Sequence, residues 1–342
     1  MQCPPTFFVL PFSLMAMSCA PAHADADNSF APVDFSLRFP AALAKFSSYG
    51  DVAGFGGASA ASRYGSGVNP ASSDWMPPPG GLASISPQLS HVRFERGTNM
   101  RIATVSGTVS SSVYGTFQPS YARVTNNGSM TGDFLLADGK VAQLQWGKKL
   151  DNGLAIGANV NRSEFDTRAG FGGLLMADDD SASNSVRGGV LWAASPQLLA
   201  GLVVDVSSGR SRSILLDPAC SCPGRFDDAS RAATARVGLT YEYAPQSSIY
   251  ADYLLGRYRN GAMSMVSRTA MLGAEHLVLP GLYLRAGVAH EPRGAWGRSV
   301  GIGFMPSKNL SIDFALQRDM FPELRPEFGR ATLANLSMSI AL

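Results

Sequence analysis

The chain has 342 residues, 45% of them hydrophobic and only 16% charged, with a formal net charge of +2. An ordinary soluble domain is roughly 25% charged, so the composition does not describe a typical water-facing surface. The near-neutral balance gives no electrostatic reason to expect a nucleic-acid partner.

Residues 1–24, MQCPPTFFVLPFSLMAMSCAPAHA, hold an apolar stretch from Phe7 to Met17 followed by Ala22-His23-Ala24. That is the pattern of a secretory signal peptide with an A-x-A cleavage site, which would leave a mature chain starting near Asp25. A second reading makes Cys19, in its Ala-Met-Ser-Cys context, an acylation site. Beyond this leader no stretch offers about 18 consecutive apolar residues, so a helical membrane span is not expected. Residues 25–84 form a distinct segment, rich in Gly, Ala and Ser, that ends in Pro77-Pro78-Pro79-Gly80-Gly81.

From about Ile85 to Leu342 the text changes to period-two alternation. Strands are expected near 85–96, 99–109, 113–126, 139–149, 153–165, 184–194, 198–213, 230–243, 248–260, 264–278, 282–291, 296–305, 309–318 and 330–342. Tight turns join several pairs: Asn152-Gly153, Ser195-Pro196, Ala244-Pro245-Gln246, Pro280-Gly281 and Pro306-Ser307-Lys308. Each of these turns falls between an even and an odd strand, while the other connections are mostly longer and polar. About fourteen antiparallel strands with short turns on one side and longer loops on the other describe an all-β transmembrane barrel.

The two faces differ in chemistry. Val186, Val190 and Trp192 share a face, as do Leu202, Val204 and Val206, then Val237, Leu239, Tyr241 and Tyr243. Gly, Ser, Thr and the charges occupy the other. Many segments reach the 9–11 residues that a tilted membrane-crossing strand needs. The apolar face is therefore expected to meet lipid, with aromatics such as Trp146, Trp192, Tyr241 and Phe304 near the turns as a girdle. Export plus such a barrel implies the outer membrane of a Gram-negative bacterium, with its lipid and lipopolysaccharide as surroundings.

The alternation also nominates the ionisable residues that face the lumen: Arg187, Asp205, Arg236, Glu242, Asp252, Glu275, Arg285 and Asp313. They line a polar path, or they pair with one another and with the N-terminal segment so that no charge is buried alone. Asp178, Asp179 and Asp180 are expected in an outer loop, as solvated surface or as a weak cation site. Cys220 and Cys222 form a disulfide or two free thiols. No metal site and no cofactor is expected. After leader removal only His91, His276 and His290 remain, and no Ser–His arrangement accompanies them, so no enzymatic activity is expected.

The stretch GFGGASAASRYGSGVNPASSDWM, residues 54–76, resembles the N-terminal segment of FadL-type outer-membrane transporters, in which a Gly/Ala-rich run leads to Asn-Pro-Ala just before the barrel. Here the triplet is Asn69-Pro70-Ala71. The resemblance implies that residues 25–84 plug a barrel formed by 85–342. It further implies passive uptake of a small hydrophobic compound, resembling a fatty acid or hydrocarbon, with a path out through the wall. Asn69 and Pro70 would then shape the plug, Pro70 as a rigid bend. Phe46, Phe55 and Trp75 would either touch an apolar ligand or pack the plug on the wall. The chain departs from the family in its short outer loops and in ending on Leu342 where Phe is common. The alternatives are a barrel without transport, such as a secretion-associated scaffold or structural protein, and a general porin.

Overall fold

In the computed structural model the described residues are 37, 40–42, 44–46, 50–54, 57–62, 68–75 and then 83–342, apart from short breaks at 97–98, 127–133, 151, 172–173, 218–221, 262 and 293–294. Fourteen strands run β1 Ala83–Phe94, β2 Asn99–Ser111, β3 Gly115–Asn126, β4 Phe134–Lys149, β5 Leu154–Phe171, β6 Leu174–Ala193 and β7 Leu198–Asp217. They continue as β8 Cys222–Ala244, β9 Ser247–Asn260, β10 Met263–Leu279, β11 Leu282–Glu291, β12 Ala295–Ser307, β13 Leu310–Arg318 and β14 Ala331–Ala341. Each pairs antiparallel with its chain neighbours, and β1 pairs with β14 from Ser84↔Ala341 to Phe94↔Ala331, closing the barrel.

The parity read from the sequence holds. β2–β3, β4–β5, β6–β7, β8–β9, β10–β11 and β12–β13 are joined by tight turns. Gly115, Gly153 and Gly281 take positive φ there, as does Gln246, which is why these corners are so short. Residues 99–126 form two strands, β2 and β3, turning at 112–114.

The opposite side differs from expectation. Residues 166–171, 174–183, 214–217 and 222–229, expected largely as loops, instead extend β5–β8 to as many as 23 residues. The ladder continues because cross-strand partners satisfy both backbone and charge, whatever the face pattern. Arg168 lies 3.6 Å from Asp178, and Arg212 lies 3.3 Å from Asp227. The Asp178–Asp180 run thus sits in β6, with Asp178 engaged by Arg168.

Burial sorts the faces as the alternation required. Val186, Trp192, Val206, Val237, Leu239, Tyr241, Leu284 and Phe314 are exposed on the outside, whereas Leu191, Leu199, Val203, Tyr250 and Leu254 are buried on the inside. A continuous outward belt of apolar side chains is the surface that meets hydrocarbon, and a closed sheet leaves no backbone edge unpaired there. The protein is a transmembrane β-barrel.

This orientation predicts the outcome of placing a charge mid-belt. Val237→Lys should lower the unfolding free energy in lipid vesicles by about 2–4 kcal/mol, read from urea titration of the reconstituted barrel.

Candidate functional site

The described part of the segment ahead of β1 lies against inward-facing residues of the wall. Val52, Ala53, Ala58, Ala60, Asn69, Ala71 and Ser72 are fully buried. At its centre is Asn69. Its Oδ1 accepts from the backbone N–H of Ala71 (3.0 Å), capping the 3₁₀ turn Pro70–Asp74. Its Nδ2 donates to the carbonyls of Ala60 (2.5 Å) and, on β6, Val190 (3.1 Å). One amide thus fixes two passes of the segment to each other and to the wall, and Pro70 supplies the bend.

The wall admits this turn because it carries glycine where the turn touches it. Gly147 of β4 pairs with Gly157 of β5, Gly157 with Gly189 of β6, and Gly201 of β7 with Gly238 of β8. A Cβ at Gly147 or Gly157 would strike the backbone of Pro70. One at Gly189 would strike the Asn69 Oδ1, and one at Gly201 the Ala60 carbonyl. These five glycines form a track across adjacent strands that seats Asn69-Pro70 and Ala60. The track was not foreseen from the sequence. Its signal was available as glycine recurring on the lumen face of neighbouring strands.

The lumen charges are paired, and several hold the segment in place. Both backbone N–H groups of Ser59 and Ala60 donate to Asp252 Oδ2, each at 2.8 Å. Arg236 lies 3.8 Å from the same carboxylate and donates to the Gly57 carbonyl at 3.2 Å. Arg187 pairs with Asp205 at 2.8 Å and reaches the Val68 carbonyl at 3.4 Å. Arg285 bridges Glu275 (2.6 Å) and Asp313 (2.5 Å) beside the short helix Gly50–Gly54. Ser299 and Gln317 donate to the Gly54 and Ala53 carbonyls at that helix end. Glu242 lies apart, at the turn end of β8, where its Oε1 accepts from the Gln246 N–H.

Nearer the turns, Ser73 bonds Gln145, and Asp74 accepts from Thr116 Oγ1 (2.6 Å) and the Lys149 N–H (2.9 Å). Trp75 packs against Ala61, Ala71, Leu191 and Leu199, with the Lys149 ammonium 4.7 Å from its ring centroid. On the far side the β13–β14 connection folds inward. Met320, Phe321, Leu324 and Phe328 join Val52, Ala58, Phe94 and Leu333 in one apolar cluster. Lys45 meets Glu323 of this connection at 2.6 Å, with side chains 1% and 0% exposed.

Between the segment and the wall lies a cavity of about 320 Å³, at the lower end of the 300–1,000 Å³ range usual for ligand sites. Phe46, Val68, Ile102, Val124, Val141 and Leu254 give it an apolar side; Asn161, Ser163, Ser183, Ser185, Ser207 and Thr234 give it a hydroxyl and amide side. Arg187, Asp205 and Arg236 also line it. Of the residues nominated from sequence, Phe46 and the three charges therefore border the cavity, Asn69 and Pro70 seat the segment, and Trp75 lies toward the turns. Phe55 and Cys220 lie outside the described residues, as does the side chain of Cys222, which opens β8. His276 shares a hydrogen bond with Tyr243 (2.9 Å), and His290 stacks on Trp296. Among the described residues no group of three His, Cys, Asp or Glu side chains is placed to hold a metal ion.

A fourteen-stranded membrane barrel with lumen ion pairs that fix a segment ahead of β1 is the class these features define. Solved structures of membrane channels and transporters match its fold along most of their length. The monoaromatic hydrocarbon channel CymD aligns with a TM-score of 0.60 at 12% identity, over 86% of this chain and 97% of that one. The Ralstonia pickettii toluene transporter TbuX aligns at 0.58 and 14% identity, over 80% and 92%. A Pseudomonas aeruginosa homologue of FadL aligns at 0.57 and 11% identity, over 86% and 98%. The chain thus has the fold of FadL-type barrels. No protein-family model and no curated protein matches its sequence.

The seat and the latch can each be broken. Gly201→Leu should expel the Ala60 turn, and Asp252→Leu should leave Arg236 buried without its counter-charge, at a cost of about 3–5 kcal/mol. Both variants should keep the barrel's heat-dependent electrophoretic mobility yet raise ion conductance in planar bilayers above that of the unsubstituted protein.

Proposed function

We propose that the protein is an outer-membrane channel for passive uptake of a small hydrophobic compound, with residues 1–24 as its signal peptide and 25–84 as a plug. The observation that carries this reading is the half-apolar cavity between Pro40, Ala44, Phe46 and Val68 of the N-terminal segment and the wall. The likeness in fold to channels named for toluene and monoaromatic hydrocarbons supports it. The ligand leaves water at the outer end and enters against Ile102, Val124 and Val141, driven by loss of apolar surface from water. The hydroxyl side accepts any polar group it carries. Onward movement requires the seated turn to shift, after which the compound leaves through the wall or the periplasmic mouth. No bond is made or broken, so no cofactor is called for.

Ser185→Trp, which fills the cavity from β6, should abolish uptake of a radiolabelled fatty acid or monoaromatic compound into proteoliposomes while leaving the barrel folded. Mass spectrometry of organic extracts should recover a bound amphiphile from the purified protein and less of it from the variant. Steady, unselective ion conductance by the unsubstituted protein would instead make it a general porin.

A further inference from the structure

Around the outside of the barrel, at the end away from the tight turns, the apolar belt gives way to arginine. On β3–β7 these arginines, Arg210 excepted, meet carboxylates: Arg123 with Asp138 (3.4 Å), Arg162 with Glu164 (2.9 Å) and Arg212 with Asp227 (3.3 Å). On β8–β10 they do not. Arg231, Arg257, Arg259 and Arg268 are all exposed, and among the described residues none has a salt-bridge partner.

Their register makes them one patch. Arg231 is the direct cross-strand partner of Arg259. Arg257 follows Arg259 on the same face of β9, about 7 Å along the strand. Arg268, opposite Leu255, is diagonal to Arg257, which faces Val266, a spacing of about 7–8 Å. Like charges placed directly opposite destabilise a sheet, and the nearest outward carboxylate, Asp227, is already engaged by Arg212. Beneath the patch run Ile249, Tyr253, Leu255, Val237 and Leu272, all exposed and apolar. Arg257 stands eight residues from Ile249, near the 9–11 residues that cross the bilayer core. The patch therefore lies at headgroup depth, above a surface that suits acyl chains.

We propose that Arg231, Arg257, Arg259 and Arg268 form a binding site for the phosphates of a lipopolysaccharide molecule, whose acyl chains lie along Leu255, Val237 and Leu272. Guanidinium forks match phosphate oxygens bidentately, and an anion between Arg231 and Arg259 converts their repulsion into attraction. A glycolipid with two phosphates and several chains fits four clustered guanidiniums over an apolar wall better than a singly charged phospholipid does. The site is separate from the lumen cavity and does not depend on what the channel carries.

The test is native mass spectrometry of the full barrel in detergent with diphosphoryl lipid A, monophosphoryl lipid A or phosphatidylglycerol as probe. The unsubstituted protein should retain diphosphoryl lipid A, more weakly the monophosphoryl form, and phosphatidylglycerol least. The combined Arg231→Gln, Arg257→Gln, Arg259→Gln and Arg268→Gln variant should bind diphosphoryl lipid A about tenfold more weakly or worse, one lost charge-assisted contact being worth that much. Arg123→Gln with Arg162→Gln and Arg212→Gln, on the paired arc, should change retention little. If the fourfold variant does not fold, by its heat-dependent mobility, Arg257→Gln with Arg259→Gln serves in its place. Unchanged retention in the β8–β10 variant, an equal loss on the paired arc, or equal retention of phosphatidylglycerol would each overturn the proposal.

Discussion

Hydrocarbon offers no partner to a peptide N–H or C=O, and that single fact organises the molecule. An open sheet would leave two rows of unmet groups at its edges, each costing several kcal/mol. The pairing of β1 with β14 removes both rows, and closure then dictates the rest. The strands must alternate, because one face meets lipid and the other does not. Fourteen of them enclose a lumen wider than wall side chains alone can fill. The segment ahead of β1 and the β13–β14 connection supply much of the missing volume, meeting in one apolar cluster.

Filling a lumen with a separate piece of chain raises a second problem, since the piece brings its own backbone polar groups. Side chains on the wall meet many of them. Asp252 takes two N–H groups, Ser299 and Gln317 give to two carbonyls, and Asn69 of the segment itself serves two of its own backbone groups and the Val190 carbonyl of the wall. The lumen is polar for this reason as much as for any passage of solute. Its charges do structural duty while bordering the cavity beside Arg187 and Asp205. The glycine track complements them, because backbone can approach backbone closely only where no Cβ intervenes.

The barrel was legible because a period of two is local. Val237, Leu239 and Tyr241 declare their face within one strand, and Asn152-Gly153 or Pro280-Gly281 mark a corner within two residues. Strand length on the outer side was not legible. Beyond the membrane no face must be apolar, so the run of Asp178–Asp180 and the Ser-rich stretches lose their alternation while the ladder persists. The lumen charges could be assigned to a side but not to partners, since Arg236 and Asp252, or Lys45 and Glu323, are joined by folding and not by spacing. Asn69-Pro70 could be picked out as a motif. That Gly157 and Gly189 receive it required the register of β5 with β6.

The Lys45–Glu323 contact ties together two parts of the chain 278 residues apart. Both side chains are sealed from water, so pulling either away strands a naked charge in the interior. The segment ahead of β1 and the β13–β14 connection are thereby pinned to each other. Displacing either part alone would break that contact, so the two are expected to shift together or not at all.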